Sequence, residues 1–154
     1  MSMRVTVAAV GRDRAGPTRE LFDDYCGRCL WPVRFREVVP RTDEPLAKRL
    51  AEEAERLLRA VPAGATIIAL DQGGEEIGSA AFARRIGRMQ EAGAAELSFL
   101  IGGADGLDPT VLERAALVLA LGRMTWPHRL VKVMIAEQLY RASTILRGHP
   151  YHRG

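Results

Sequence analysis

The two cysteines of the chain have the spacing of a redox pair or of half a zinc site. Cys26 and Cys29 form a C-x-x-C motif. They fall near the end of a helix that we predict from Pro17 to Cys29, where the helix dipole disfavours a thiolate. A zinc ion would need two more ligands, and the three histidines lie far along the chain. The pattern favours a structural role for both thiols and predicts no metal site.

A glycine-rich stretch is the second group of interest, because residues 97 to 109 read LSFLIGGADGLDP. Gly102, Gly103 and Gly106 follow an apolar run and allow a sharp turn and the close approach of a ligand to the backbone. A P-loop is excluded, since Gly106 is followed by Leu-Asp and not by Lys-Ser/Thr. The spacing also differs from a dinucleotide fingerprint, and Asp105 disfavours phosphate. What remains is a nucleoside held by backbone groups and apolar walls.

The length and composition limit the elements that can position these residues. At 154 residues with 47% hydrophobic residues, the chain is predicted to form one domain, 1–154. The net charge of +3 permits an anionic partner without requiring one. The first residues lack a signal-peptide pattern, and no run approaches the roughly 18 apolar residues of a membrane span. We therefore expect a cytoplasmic protein that does not enter a membrane.

The hydrophobic pattern alternates between strand-like and helix-like segments. The predicted strands cover residues 4–10, 33–39, 65–70, 97–101 and 117–121. The predicted helices run from Pro17 to 29, from a cap at Thr42 or Asp43 to about 60, from a cap at Ser79 to Gly93, from Asp108-Pro109 to about 116, and from Leu130 to 146, where Gly148 ends the last one. This order predicts an α/β fold, a mostly parallel sheet with helices on both faces. Its ligand site should lie at the loops that follow the strands, namely 71–74, 102–106 and 122–127.

The last predicted helix and the segment after it have unusual compositions. From Leu130 to Ala136 only Lys132 is charged, so this part must be covered on more than one side, either within the chain or by a second copy. Beyond Glu137 there is no acidic residue. The basic and aromatic residues of this segment are Tyr140, Arg141, Arg147, His149, Tyr151, His152 and Arg153. They suit RNA phosphates and bases, while a frayed basic tail is the alternative.

Several motifs together resemble a known family. They are LIGGADGL at 100–107, TWPHRLVKVMIAEQLYRA at 125–142 and the terminal HPYHRG, together with ALDQGG at 69–74 and the N-terminal VAAVGR. Over essentially the whole chain they resemble the RlmH family, SPOUT-class methyltransferases that methylate N3 of a pseudouridine in large-subunit ribosomal RNA. The resemblance implies a C-terminal trefoil knot, S-adenosylmethionine as methyl donor, a homodimer and the assembled ribosome as partner.

The resemblance also implies which residues contact the cofactor. Carried over by motif, the cofactor-binding residues are Leu70, Gly103, Gly122, Arg123, Met124, Thr125, Trp126 and Pro127. This set is physically sensible, because a phosphate-free cofactor needs backbone contacts and apolar cover for adenine. Leu70 and Met124 also fit a purely structural role in the core.

Catalysis requires that the target imide nitrogen lose a proton. We expect His149 or His152 to accept it, with Tyr151 and Arg153 orienting the base and Arg141 on a phosphate. In a dimer this tail would serve the cofactor pocket of the partner subunit. Two alternatives remain, a ribosome-binding module without catalysis and a Cys26/Cys29 dithiol oxidoreductase.

Overall fold

A computed structural model describes residues 3–40, 43–148 and Tyr151. Strands and helices alternate along this part of the chain. The strands are β1 Arg4–Val10, β2 Val33–Val38, β3 Thr66–Glu75, β4 Glu96–Ile101 and β5 Leu117–Leu119. The helices are α1 Pro17–Arg28, α2 Leu46–Ala60, α3 Ser79–Glu91, α4 Pro109–Arg114 and α5 His128–Leu146. No helix in these ranges is long and apolar enough to cross a membrane.

The sheet has the strand order β2-β1-β4-β3-β5, and all neighbouring strands are parallel. Helices α1, α3 and α5 pack on one face and α2 and α4 on the other, so apolar residues of β1 alternate between two cores. Val7 and Ala9 face the first core, while Ala8 and Val10 face the second. This double burial explains why β1 is apolar on successive residues. The predicted parallel sheet with helices on both faces is confirmed.

Two of the predicted helix caps are wrong. Helix α2 begins at Leu46 after Pro45, and Asp43 does not cap it, because the residue before a proline is pushed out of the helical region. The alternative cap, Thr42, lies outside the described residues. Ser79 is the first residue of α3 and not its cap, since its hydroxyl donates a hydrogen bond to Oε1 of Gln138 at 2.8 Å.

Three other helix ends agree with the sequence. Oδ2 of Asp108 accepts a hydrogen bond from the Thr110 N–H at 3.1 Å, as expected of an N-cap. Gly93 and Gly148 stand just after α3 and α5 with φ of +101° and +69°, the left-handed conformation that ends helices.

The largest differences from the predicted elements lie between β3 and β5. Strand β3 extends to Glu75, past the predicted end at residue 70, because Gly74 has no side chain. A Cβ there would lie 2.7 Å from the Val118 carbonyl carbon. Strand β5 ends at Leu119, two residues before its predicted end, and α5 begins at His128, two residues before its predicted start. The segment between them is the third loop at the carboxyl edge of the sheet.

Candidate active site

A cavity of about 640 Å³ lies at the carboxyl ends of β3, β4 and β5, within the usual size range of small-molecule sites. The three loops selected from the sequence contribute to its wall. Seven of the eight predicted cofactor residues line it: Leu70, Gly103, Gly122, Met124, Thr125, Trp126 and Pro127. The structure thus brings the predicted cofactor residues together, while their binding role stays a prediction.

The backbone conformation of the second loop, 102–106, itself requires glycines. The Gly106 N–H donates to the Gly103 carbonyl at 3.1 Å, and Gly106 has φ +81°. A Cβ on Gly102 would lie 2.5 Å from the carbonyl oxygen of Gly106, which no side chain tolerates. A Cβ on Gly103 would meet Cγ1 of Val10 at 3.3 Å. The loop therefore folds back on itself and presents its backbone to the cavity.

The third loop is held by two side-chain hydrogen bonds to its backbone. The Gln72 amide donates to the Arg123 carbonyl at 3.1 Å, and Nε1 of Trp126 donates to the Leu121 carbonyl at 3.1 Å. Arg123 is the one predicted cofactor residue that does not line the cavity. Met124 and Trp126 are 73% and 42% exposed, which leaves apolar surface at the rim for a ligand to cover. The sequence identified the loop that contains Gln72, but it did not predict the hydrogen bond from Gln72 to the Arg123 carbonyl.

His128 is a cavity residue that the sequence reasoning considered only as a remote metal ligand. Its Nε2 is buried without a hydrogen-bond partner in the described part of the chain. The atom faces Gly11, where a Cβ would lie only 2.7 Å away. Burial, and then the charge of Arg129, lowers the pKa of His128. The imidazole is therefore neutral at pH 7, and the only signal in the sequence was its place beside the third loop.

A buried ion pair ties α5 to the loop after β1. Lys132, only 1% exposed, pairs with the carboxylate of Asp13. The rings of Phe22 and Phe35 lie 4.8 and 4.4 Å from the ammonium group. Lys132, Val133, Ile135 and Ala136 are all buried within the chain, whereas Leu130 is exposed. The single charge in this apolar stretch is thus an internal contact that the sequence did not reveal.

The cysteines occupy the carboxyl-terminal end of α1, as predicted. Burial is the main cause that raises the pKa of Cys26, to about 12, and that also raises the pKa of Cys29. Thiols of this kind are poor nucleophiles at neutral pH. The described residues contain no group of three or more His, Cys, Asp or Glu side chains that could hold a metal ion.

Two of the five predicted catalytic residues, Arg141 and Tyr151, are described by the structure, and both contact Glu137 in the carboxyl-terminal half of α5. His149, His152 and Arg153 lie outside the described residues. The Arg141 guanidinium donates to both carboxylate oxygens of Glu137 at 3.0 to 3.2 Å, and the Tyr151 hydroxyl donates to Oε2 of Glu137 at 3.3 Å. The rings of Tyr140 and Tyr151 are 4.4 Å apart. Burial raises the pKa of Tyr151, and the Glu137 charge adds to this effect. Glu137, which the sequence reasoning did not single out, joins this cluster.

The cavity and this cluster lie at different levels of α5. Glu137 follows His128 by nine residues, which corresponds to about 13 Å along a helix. A second cavity, of about 520 Å³, lies beside Glu137 and shares Leu119, Leu121 and Gly122 with the first. The third loop therefore separates the two cavities.

Comparisons with known proteins agree with this architecture. A family described as "Predicted SPOUT methyltransferase" matches residues 3–152. The ribosomal RNA large subunit methyltransferases H of Rhodospirillum centenum and Paramagnetospirillum magneticum are 54% and 50% identical to this chain, and each alignment covers 98% of it and 99% of the relative. The structure of a probable methylase family protein from Haemophilus influenzae has the same fold, with a TM-score of 0.57 at 8% identity, over 100% of this chain and 72% of that one. The chain belongs to the SPOUT methyltransferase family and, within it, to the RlmH family.

Proposed function

We propose that this methyltransferase transfers a methyl group from S-adenosylmethionine to N3 of a pseudouridine in large-subunit ribosomal RNA, in assembled ribosomes. The relatives that are 54% and 50% identical to this chain are named ribosomal RNA large subunit methyltransferase H, and they align with it over nearly their whole length. The observation that carries the proposal is the position of the cavity, where three strand-end loops meet around seven of the eight residues expected to contact the cofactor. A ribosomal RNA substrate implies that the protein works in the cytoplasm.

The lining of the cavity fits this cofactor chemically. The lining residues within the described chain include the carboxylates of Asp71 and Asp105 but no lysine or arginine. A partly apolar cavity that has carboxylates and no cation in its described wall favours a sulfonium cation over a phosphate, although Asp105 is also paired with Arg49. Backbone groups of Gly103 and residues 122–127 would hold the nucleoside, with Trp126 and Met124 covering it. When bound, S-adenosylmethionine supplies an electrophilic methyl group.

The residues of the chain then have to orient the target base and remove one proton. We assign proton acceptance to His149 or His152, orientation of the base to Tyr151 and Arg153, and a phosphate contact to Arg141. The bidentate contact with Glu137 gives the Arg141 guanidinium a fixed direction. Glu137 also orients the Tyr151 hydroxyl.

A homodimer would bring the two parts of the site together. Within one chain Glu137 lies six residues, about 9 Å, along α5 beyond Val131, the last α5 residue of the cavity wall, and we infer that the tail serves the cavity of the partner. Exposed apolar side chains in the α1 and α5 layer support a twofold contact there: Leu21, Leu30, Leu130 and Leu146. We also propose that the chain forms the C-terminal trefoil knot that the family resemblance implies.

Incubation with labelled S-adenosylmethionine and either assembled ribosomes or bare ribosomal RNA, both from a strain that lacks the enzyme, tests the function. We expect label in the large-subunit RNA of assembled ribosomes, at N3 of a pseudouridine, and much less on bare RNA. Calorimetry should show S-adenosylmethionine binding. Absence of both binding and label would instead indicate a ribosome-binding module without catalysis.

A further inference from the structure

The loop after β1 presents two arginines to solvent on either side of a buried aspartate. Arg12 and Arg14 are exposed, whereas Asp13 between them is only 7% exposed. The loop contributes no residue to the predicted cofactor set. Its alternating exposure means that the backbone turns both guanidiniums outward.

Contacts of Asp13 hold this loop in place. Its carboxylate pairs with Lys132 of α5 and accepts a hydrogen bond from the Thr18 hydroxyl at 3.3 Å. Its N–H donates to Oε1 of Glu37, and its carbonyl accepts from Nη1 of Arg19 at 3.5 Å. Because Asp13 is anchored on three sides, its two neighbours start from a fixed backbone.

The anchored loop lies beside the cofactor cavity. Gly11, which precedes Arg12, packs against Nε2 of His128, and His128 lines the cavity. Val10 contacts Gly103 from the other side. Arg129, the residue after His128, is also exposed. Arg12 and Arg129 are thus the chain neighbours of the contact between Gly11 and His128 at the cavity wall, and Arg14 follows two residues after Arg12. We call these three exposed arginines the arginine rim.

The arginine rim has no internal neutralising charge. None of its three guanidiniums has a carboxylate within ion-pair distance in the described part of the chain. The nearby acidic residues are engaged elsewhere: Asp105 pairs with Arg49 at 3.2 Å, Asp71 accepts from the Gly73 N–H at 2.9 Å, and Glu37 accepts from the Asp13 N–H. Unpaired guanidiniums on a fixed backbone, two on the loop after β1 and one at the start of α5, are well suited to bind phosphate oxygens.

We propose that Arg12, Arg14 and Arg129 bind phosphates of the ribosomal RNA strand that carries the target nucleotide and hold it at the mouth of the cofactor cavity. This inference rests on the proposed function. The carboxylates of the cavity favour the cationic cofactor, whereas the arginines outside it favour the polyanionic RNA, so the two ligands would bind at separate places. The arginine rim is distinct from the C-terminal basic residues, which lie on the other half of α5 or beyond it.

The test compares a triple variant, Arg12→Gln, Arg14→Gln and Arg129→Gln, with a control that loses the same charge elsewhere. The control is Arg84→Gln, Arg88→Gln and Arg114→Gln, three exposed arginines of α3 and α4. Methyl transfer to ribosomes is measured against potassium chloride concentration. We expect the rim variant to raise the KM for ribosomes by about 10- to 100-fold and to reduce the slope of log KM against log salt by about 2 to 3. The KM for S-adenosylmethionine should change less than about twofold, and the control should match the wild type.

Three results would overturn the inference. If the rim variant and the control have the same KM for ribosomes and the same salt slope, the arginine rim does not bind RNA. A loss confined to S-adenosylmethionine affinity assigns the arginines to the cofactor. A raised KM for ribosomes with an unchanged salt slope indicates a protein surface of the ribosome and not phosphates. If the wild type itself transfers no label to ribosomal RNA, the proposed function fails instead.

Discussion

The two halves of α5 each carry a carboxylate–cation contact, and the two contacts differ in kind. Lys132 and Asp13 are both buried, and the Lys132 ammonium also lies near the rings of Phe22 and Phe35. Glu137 and Arg141 are four residues apart on a partly exposed surface, where a tyrosine hydroxyl joins them. The buried pair joins helix to loop and shapes the cavity side of the protein. The partly exposed pair holds Arg141 and Tyr151 in place. Charge on one helix therefore serves the fold at one end and, in our proposal, the substrate at the other.

Removing one partner of the buried pair should have the largest effect. Asp13→Ala leaves the Lys132 ammonium without its counterion, and we expect a loss of about 3 to 5 kcal/mol in the free energy of unfolding. Urea denaturation measures it. Asp23→Ala, which breaks the exposed pair with Arg19, is the control and should cost less than about 1 kcal/mol. Equal costs would mean that the buried pair does not anchor the loop.

Filling the cavity should weaken cofactor binding strongly. Gly103→Val places a side chain between Val10 and the cavity. We expect S-adenosylmethionine affinity to fall by about 100-fold, or about 2.7 kcal/mol, by calorimetry. Gly27→Val, with nothing within 4 Å of its Cβ position, should retain the affinity. If the Gly103 variant retains its affinity for S-adenosylmethionine, the cofactor does not bind at this loop.

Weakening the partly exposed contact between Glu137 and Arg141 should affect the reaction more than the stability. Glu137→Gln removes the charge that orients Arg141 and Tyr151, so we expect kcat to fall about tenfold while the free energy of unfolding changes by less than about 1 kcal/mol. Glu55→Gln breaks a similar Glu–Arg pair with Arg59 on α2 and should leave kcat unchanged. Both variants are compared by single-turnover methyl transfer and urea denaturation. A purely structural Glu137 would change the stability and not kcat.

The smallest effect concerns pH and His128. Its pKa is lowered in the folded chain, so below the ordinary value of 6.5 the unfolded chain binds more protons. The contribution of His128 to stability is thus complete above pH 6.5 and is lost as the pH falls through the lowered pKa. Urea denaturation at pH 7.5 and 5.5 should show a smaller decrease for His128→Gln than for the wild type. An equal decrease would indicate that the imidazole is accessible to protons.

The sequence predicted the architecture well because each strand and helix carries its own hydrophobic period. The apolar strand at 4–10 and the Asp108-Pro109 helix start are local signals, and both are confirmed. The predicted caps at Asp43 and Ser79 were wrong for different reasons. Asp43 is followed two residues later by a proline, after which α2 begins, whereas the Ser79 hydroxyl donates to a glutamine of the distant helix α5. The third loop was found by composition, but its hydrogen bond from Gln72 joins residues 51 positions apart.

The sequence by itself determined the alternating elements, the three loops at the strand ends and the family resemblance, because each of these depends on residues close together in the chain. Only the tertiary structure decided that Asp13 meets Lys132 and that Gly11 packs against His128 at the cavity wall. Those contacts join the loop after β1 to α5, more than 100 residues apart. Local periodicity carries no information about such pairs, since a buried charge and an exposed one look alike in sequence.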